Sequence, residues 1–125
     1  MAKGLGASVT AIHVLDEASF GMVGNLLSYY RGGKVEEYET ALKKQAEEFL
    51  NETKLVLEKA GVRASIDVVI SKSSAAEGII DFAKEAGADL IIIGTKGLTG
   101  VERFLMGGVA SWVIRHAHCP VLAVR

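Results

Sequence analysis

The sequence holds one cysteine, Cys119, and one proline, Pro120, in 125 residues. A lone cysteine excludes an intramolecular disulfide, and a reducing cytoplasm is the simplest setting for such a chain. No apolar run approaches the roughly 18 residues needed to cross a bilayer, so no membrane partner is expected. Neither sign of charge dominates: 14 Lys and Arg against 15 Asp and Glu leave a formal net charge of −1. Nucleic-acid binders usually carry a basic stripe or patch, and this balance suggests none. Metal ligands are also sparse. His13, His116, His118 and Cys119 do not share the spacing at which zinc ligands converge, so no metal site is expected among them.

What is present is a core. Half of the chain is hydrophobic, enough for one domain with a buried interior. The opening MAKGLGASVTAIHVLDE reads as a buried strand over Ala7–Leu15 rather than a signal peptide. Asp16–Gly33 is irregular, carries Tyr29 and Tyr30, and is long for a connection. Val35, Tyr38, Leu42, Phe49, Thr53, Val56 and Ala60 fall mostly on one face of a helix of about 26 residues, which Gly61 stops. Arg63–Ile70 is a second strand. Ser74 and Glu77 have capping-box spacing and open a short helix ending at Gly87. Leu90–Ile93 reads as a strand, Gly108 to about His116 as a last helix, and Pro120 opens a final strand, PVLAV. The order β-α-β-α-β-α-β predicts an α/β fold: a parallel sheet wrapped by helices.

The densest feature is IIIGTKGLTGVERFLMGGVASW, from Ile91 to Trp112. It holds five of the 14 glycines, at 94, 97, 100, 107 and 108. Ligands of open parallel sheets bind beyond the carboxyl ends of strands, where this loop falls. Gly94 is expected to turn the chain off the strand, and Gly97 and Gly100 to leave amides uncovered. Gly107 and Gly108 begin the last helix, whose unpaired N–H groups and dipole favour an anion. Lys96 and Arg103 could add charge. The alternative is a tight corner whose glycines serve geometry alone. The loop matches neither a Walker motif nor the GxGxxG fingerprint.

Gly94-Thr95-Lys96-Gly97, nine residues, then Gly107 and VASWVIRHAHCPVLAV resemble the universal stress protein family, whose nucleotide-binding members carry G-x2-G-x9-G followed by Ser or Thr. HVLDE after the first strand and the long helix are similar to the family as well, so the resemblance covers nearly the whole chain. It implies a doubly wound sheet of five parallel strands in the order 3-2-1-4-5, of the adenine nucleotide alpha hydrolase-like kind. It also implies an adenine nucleotide ligand (ATP, with or without Mg2+), a role as sensor or regulator of the stress response, and a homodimer through the last strand, Val121–Arg125. Val14 and Ile93 would line the adenine and ribose region. Gly94 and Gly97 would border the ribose and phosphates. Gly107, Gly108, Val109 and Ala110 would present the helix N-terminus to the phosphates.

Two departures stand against that implication. Gly108 replaces the family's hydroxyl residue, and Ala110 occupies a second frequent hydroxyl position. The backbone donors survive, but up to two hydrogen bonds to phosphate do not, and each is worth about 1.5–3 kcal/mol. Secondly, the family has a strand and most of a helix before AKGLGASVTAIHV, and an Asp near the adenine at that strand's end. The chain is thus expected to be a single domain over residues 1–125 that lacks the family's first strand and most of its first helix. A missing N-terminal segment, direct closure of the two flanking strands, or a strand from a second chain would each account for this. No acidic pair marks the loop, so nucleotide turnover is expected to be absent or slow. A dimeric interaction scaffold that ignores nucleotide is the competing expectation.

Overall fold

The computed structural model describes residues 6–17, 35–95 and 108–124. The elements in chain order are β1 (Ser8–Asp16), α1 (Val35–Lys59), β2 (Arg63–Ser71), α2 (Ala75–Glu85), β3 (Ile91–Gly94), α3 (Gly108–His116) and β4 (Val121–Val124). The alternation read from the sequence is observed, with strand limits displaced by about one residue. The Asp16–Gly33 connection, including Tyr29 and Tyr30, lies outside the described residues, except that Asp16 ends β1 and Glu17 follows it. The chain divides into two compact units, Met1–Lys72 and Ser73–Arg125.

In the first unit β1 and β2 pair in parallel along nine residues each, from Ser8 opposite Arg63 to Asp16 opposite Ser71. One face carries Ser8, Thr10, Arg63, Ser65 and Asp67, all exposed. Across that face the Thr10 and Ser65 hydroxyls lie 3.0 Å apart in a hydrogen bond. The other face carries Val9, Ala11, Ala64, Ile66 and Val68, all half-buried. This alternation gives the second face to α1, which packs on both strands. The buried centre of α1 is Ala46 and Leu50, 6% and 2% exposed, flanked by half-buried Leu42, Thr53 and Leu57. This corrects the apolar face read from the sequence. Phe49 and Val56 are 55% and 67% exposed, and Ala60 is exposed too. The stripe through Leu42, Phe49 and Val56 is a flank, because each residue turns the helix by about 100° and Leu50 has taken the inward position. The side chains of Val35 and Tyr38 lie outside the described residues.

Gly61 stops α1 as expected. Its φ is +81°, in the left-handed region. Its N–H bonds the Glu58 carbonyl at 2.9 Å and Val62 N–H bonds Leu57 at 3.0 Å, the paired bonds of a Schellman end.

The second unit has shorter strands and a tighter core. β3 and β4 pair in parallel over four residues, Ile91 opposite Val121 through Gly94 opposite Val124. Ser74 caps α2: its hydroxyl accepts the Glu77 N–H at 3.2 Å. Gly87, at φ +67°, ends it with the same two-bond pattern, Gly87 to Lys84 and Ala88 to Ala83. Ala76, Ile80 and Ala83 of α2, Ile91 of β3 and Val113 of α3 form one buried cluster, with Val113 fully enclosed. Ile93, Trp112, Cys119 and Val121 pack against it. The expected order 3-2-1-4-5 makes neighbours of 3 and 2 and of 4 and 5; β1–β2 and β3–β4 are those pairs. No fifth strand occurs among the described residues.

Candidate functional site

Because β3 and β4 are parallel and α3 joins them, α3 must run back against β3. Its N-terminus therefore faces the carboxyl end of β3. Hydrogen bonds at both ends of the strand pair hold β3 and β4 in register. At the amino end, Ile91 N–H bonds the Pro120 carbonyl at 3.0 Å. At the carboxyl end, Thr95 N–H bonds the Val124 carbonyl at 2.8 Å, and the Thr95 hydroxyl donates to the same oxygen at 3.3 Å. The sequence reading passed over Thr95, although a hydroxyl one residue beyond a strand is the available signal. It ties the first residue of the glycine loop to the neighbouring strand.

Gly94 is not the turn it was expected to be. It is the last residue of β3, paired with Val124, and its φ is not positive. The chain leaves the strand at Thr95. Ile93, just before it, is half-buried against the core cluster. Gly97, Gly100 and Gly107, with Lys96 and Arg103, lie outside the described residues.

Gly108 opens α3 and is exposed. A Cβ built there would meet no atom within 4 Å, and its φ is not positive. The absence of a side chain at 108 is therefore not enforced by packing or by backbone among the described residues. Val109 is 42% exposed. Ala110 is 2% exposed, so its methyl is packed and a ligand could meet only its backbone. The first turn of α3 carries no acidic residue, and the last turn carries Arg115 and His116. This arrangement suits the dipole, and it leaves the N-terminal end without an opposing charge. Val14 lies in β1, half-buried and opposite Val69, in the other unit.

Two of the three histidines, His116 and His118, have structural partners. His116 Nδ1 lies 2.9 Å from the Trp112 carbonyl, so it donates there, and its ring stacks on Trp112 at 4.0 Å between centroids and 22° between planes. His118 Nε2 donates to the Ala88 carbonyl at 3.1 Å. No group of three or more His, Cys, Asp or Glu among the described residues could hold a metal ion. No helix among them is long and apolar enough to cross a membrane.

A family-wide sequence profile, that of the universal stress protein family, matches residues 1–125. A universal stress protein of Methanocaldococcus jannaschii is 38% identical over 125 residues, covering 100% of this chain and 69% of the relative. Among solved structures, the universal stress protein UspA of Lactobacillus plantarum superposes with a TM-score of 0.78 at 21% identity, over 99% of this chain and 81% of the other. A universal stress protein of Archaeoglobus fulgidus, solved in complex with dAMP, gives a TM-score of 0.65 at 22% identity, over 99% and 78%. At these identities the two structures speak for the fold alone, and that fold agrees with the parallel strand pairs described above. The chain belongs to the universal stress protein family.

Proposed function

We propose that this chain is a single universal stress protein domain that binds an adenine nucleotide and acts in the cytoplasm as a sensor or regulator. The observation that supports it best is the start of α3 at the carboxyl end of β3, where no described residue crowds Gly108. Free N–H groups and the positive end of the helix dipole suit phosphate there. Among the described residues nothing stands within 4 Å of a Cβ at Gly108, which suits a phosphate there. The dAMP held by the Archaeoglobus relative is a ligand of this chemistry. Gly108, Val109 and Ala110 would contribute backbone donors, with Gly107 before them. Ile93 and Gly94 would border the ribose, with Gly97 as a further family position. ATP is the nucleotide we assign, with Mg2+ entering on its phosphates.

The grip is expected to be weak, because Gly108 supplies no hydroxyl. The test is titration calorimetry with ATP and magnesium, beside a melting-temperature series. Gly108→Ser should fit without a clash and tighten binding roughly tenfold, the worth of one hydrogen bond to a charged group. Gly107→Val should abolish binding. Neither heat nor a melting shift at millimolar ATP, for the native chain and Gly108→Ser alike, would overturn the proposal.

A second reading has its own observation. Ile92, Leu122 and Val124 share one face of the β3–β4 pair and are 56%, 45% and 46% exposed. A homodimer through Val121–Arg125 would help cover this apolar surface, and the protein would then be an interaction scaffold. Its mark is a dimer whose affinity is the same with and without nucleotide.

A further inference from the structure

The two ends of the β3–β4 pair are held differently. At the amino end Ile91 is buried in the core cluster, and its N–H bonds the Pro120 carbonyl at 3.0 Å. Towards the carboxyl end that cover is lost. Gly94, the last residue of β3, is exposed and has no side chain to pack, and its partner Val124 is 46% exposed. A glycine in a strand weakens the pairing around it, because its backbone loses more freedom on ordering and nothing packs in return. This is nevertheless the end that faces the start of α3.

Thr95 offsets that weakness. Both of its donors meet one oxygen, the Val124 carbonyl: the backbone N–H at 2.8 Å and the hydroxyl at 3.3 Å. A carbonyl oxygen has two lone pairs and can accept both. The N–H bond ties the chain to β4 one residue beyond Gly94, and the hydroxyl adds a side-chain tie that Gly94 cannot make. A threonine hydroxyl has one proton, and here it is committed to Val124. It is therefore not free for a phosphate oxygen, which only accepts. The start of α3 is fixed in another way, by packing: Ala110 is 2% exposed and Val113 is fully enclosed. Hydrogen bonds to β4 hold one side of the candidate site, and the core holds the other.

We infer that Thr95 is a positioning residue of the nucleotide site, acting through Val124 rather than by touching the ligand. This role rests on the nucleotide reading above. By holding the end of β3 on β4, Thr95 keeps the backbone of Ile93 and Gly94 at a fixed spacing from the first turn of α3. A ligand that touches both needs that spacing in place when it binds. Where only a fraction of molecules holds the competent arrangement, apparent affinity falls by that fraction. The hydroxyl bond is long and exposed, so its loss lies near the weak end for neutral hydrogen bonds and should lower the competent fraction about threefold.

The test is titration calorimetry with ATP and magnesium, in the native chain and in the Gly108→Ser background, beside amide exchange of the nucleotide-free proteins. Thr95→Val keeps the branched shape and removes the hydroxyl. It should weaken ATP binding about threefold and speed exchange of the residue 95 amide by a similar factor, after correction for intrinsic rates. Thr95→Ser keeps the hydroxyl and should return both to native values. Thr10→Val removes a hydroxyl bond of the same kind, the 3.0 Å contact with Ser65 in the other unit, and should leave ATP binding unchanged. Equal affinity of Thr95→Val and the native chain overturns the inference and leaves the nucleotide reading standing. So does a loss in Thr95→Ser as large as in Thr95→Val, which would assign the effect to side-chain packing. A matching loss in Thr10→Val overturns it as general loosening. Weaker binding with unchanged exchange overturns it too, because the hydroxyl would then be a direct ligand of the nucleotide. No ATP binding in the native chain and Gly108→Ser alike brings down the nucleotide reading itself, and this role with it.

Discussion

Met1–Lys72 and Ser73–Arg125 distribute their hydrophobic residues differently. The first unit has strands of nine residues and a helix of 25, yet its buried hydrophobic residues are Leu15, Ala46 and Leu50 among those described. The second has strands of four residues and helices of 11 and nine, yet it encloses Ala76, Ile80, Ala83, Ile91 and Val113 as one cluster. Length of strand therefore does not make a core. Two helices packed together above a short strand pair cover more than one long helix above a long pair. The long helix exposes Phe49 and Val56 because Ala46 and Leu50 have taken the line that faces its strand pair.

The sharpest way to break this comparison is to empty each core at its centre. Ile80→Ala sits among four other buried residues that cannot all close in, so it should cost about 4 kcal/mol. Leu50→Ala, in the thinner layer, should relax more and cost about 2–3 kcal/mol. Urea midpoints at unchanged slope would measure both. Equal losses would mean that the two cores are packed alike, and the contrast would fall.

The same contrast explains what could be read from the sequence. The stops of α1 and α2 were legible, because Gly61 and Gly87 do a local job that needs no knowledge of the rest of the fold. So was the Ser74 cap, which involves residues three apart. The parallel pairing was legible through the alternation of elements. The inward face of α1 was not. Leu42, Phe49 and Val56 line up as well as Ala46, Leu50 and Leu57 do, and only the sheet decides which line is covered. Gly94 was misread for a related reason: a glycine after three isoleucines looks like a turn, but Val124 was there to pair with it. The candidate site was legible as a spacing of glycines, while the packing of Ala110 was not, since a small residue in the first turn of a helix can face either way.

A smaller effect sharpens the comparison at its common point. Both units end a helix with a glycine in the left-handed region, so Gly61→Ala and Gly87→Ala should cost the same, about 1–2 kcal/mol, whatever the quality of the core behind them. At Gly87 a new Cβ meets nothing within 4 Å, so its cost is that of the backbone alone. Melting temperatures of the two variants should fall in parallel. A much larger loss at Gly61 would show that this end is crowded as well as left-handed.

The smallest expected effect concerns the surface of the thinner unit. Lys43 Nζ lies 3.8 Å from Glu39 Oε1, four residues earlier on α1, with the acid on the N-terminal side as helix geometry prefers. Both side chains are substantially exposed, 42% and 32%, so water and salt weaken their attraction. Glu39→Gln should therefore cost only about 0.3 kcal/mol, and the difference should vanish as ionic strength rises toward 1 M, where the screening length is about 3 Å. Denaturation of both proteins in parallel at low and high salt measures it. A loss several times larger, persisting in salt, would mean that α1 is held to its unit more by its charges than by Ala46 and Leu50. The thin layer would then owe its stability to the helix itself rather than to what the helix covers.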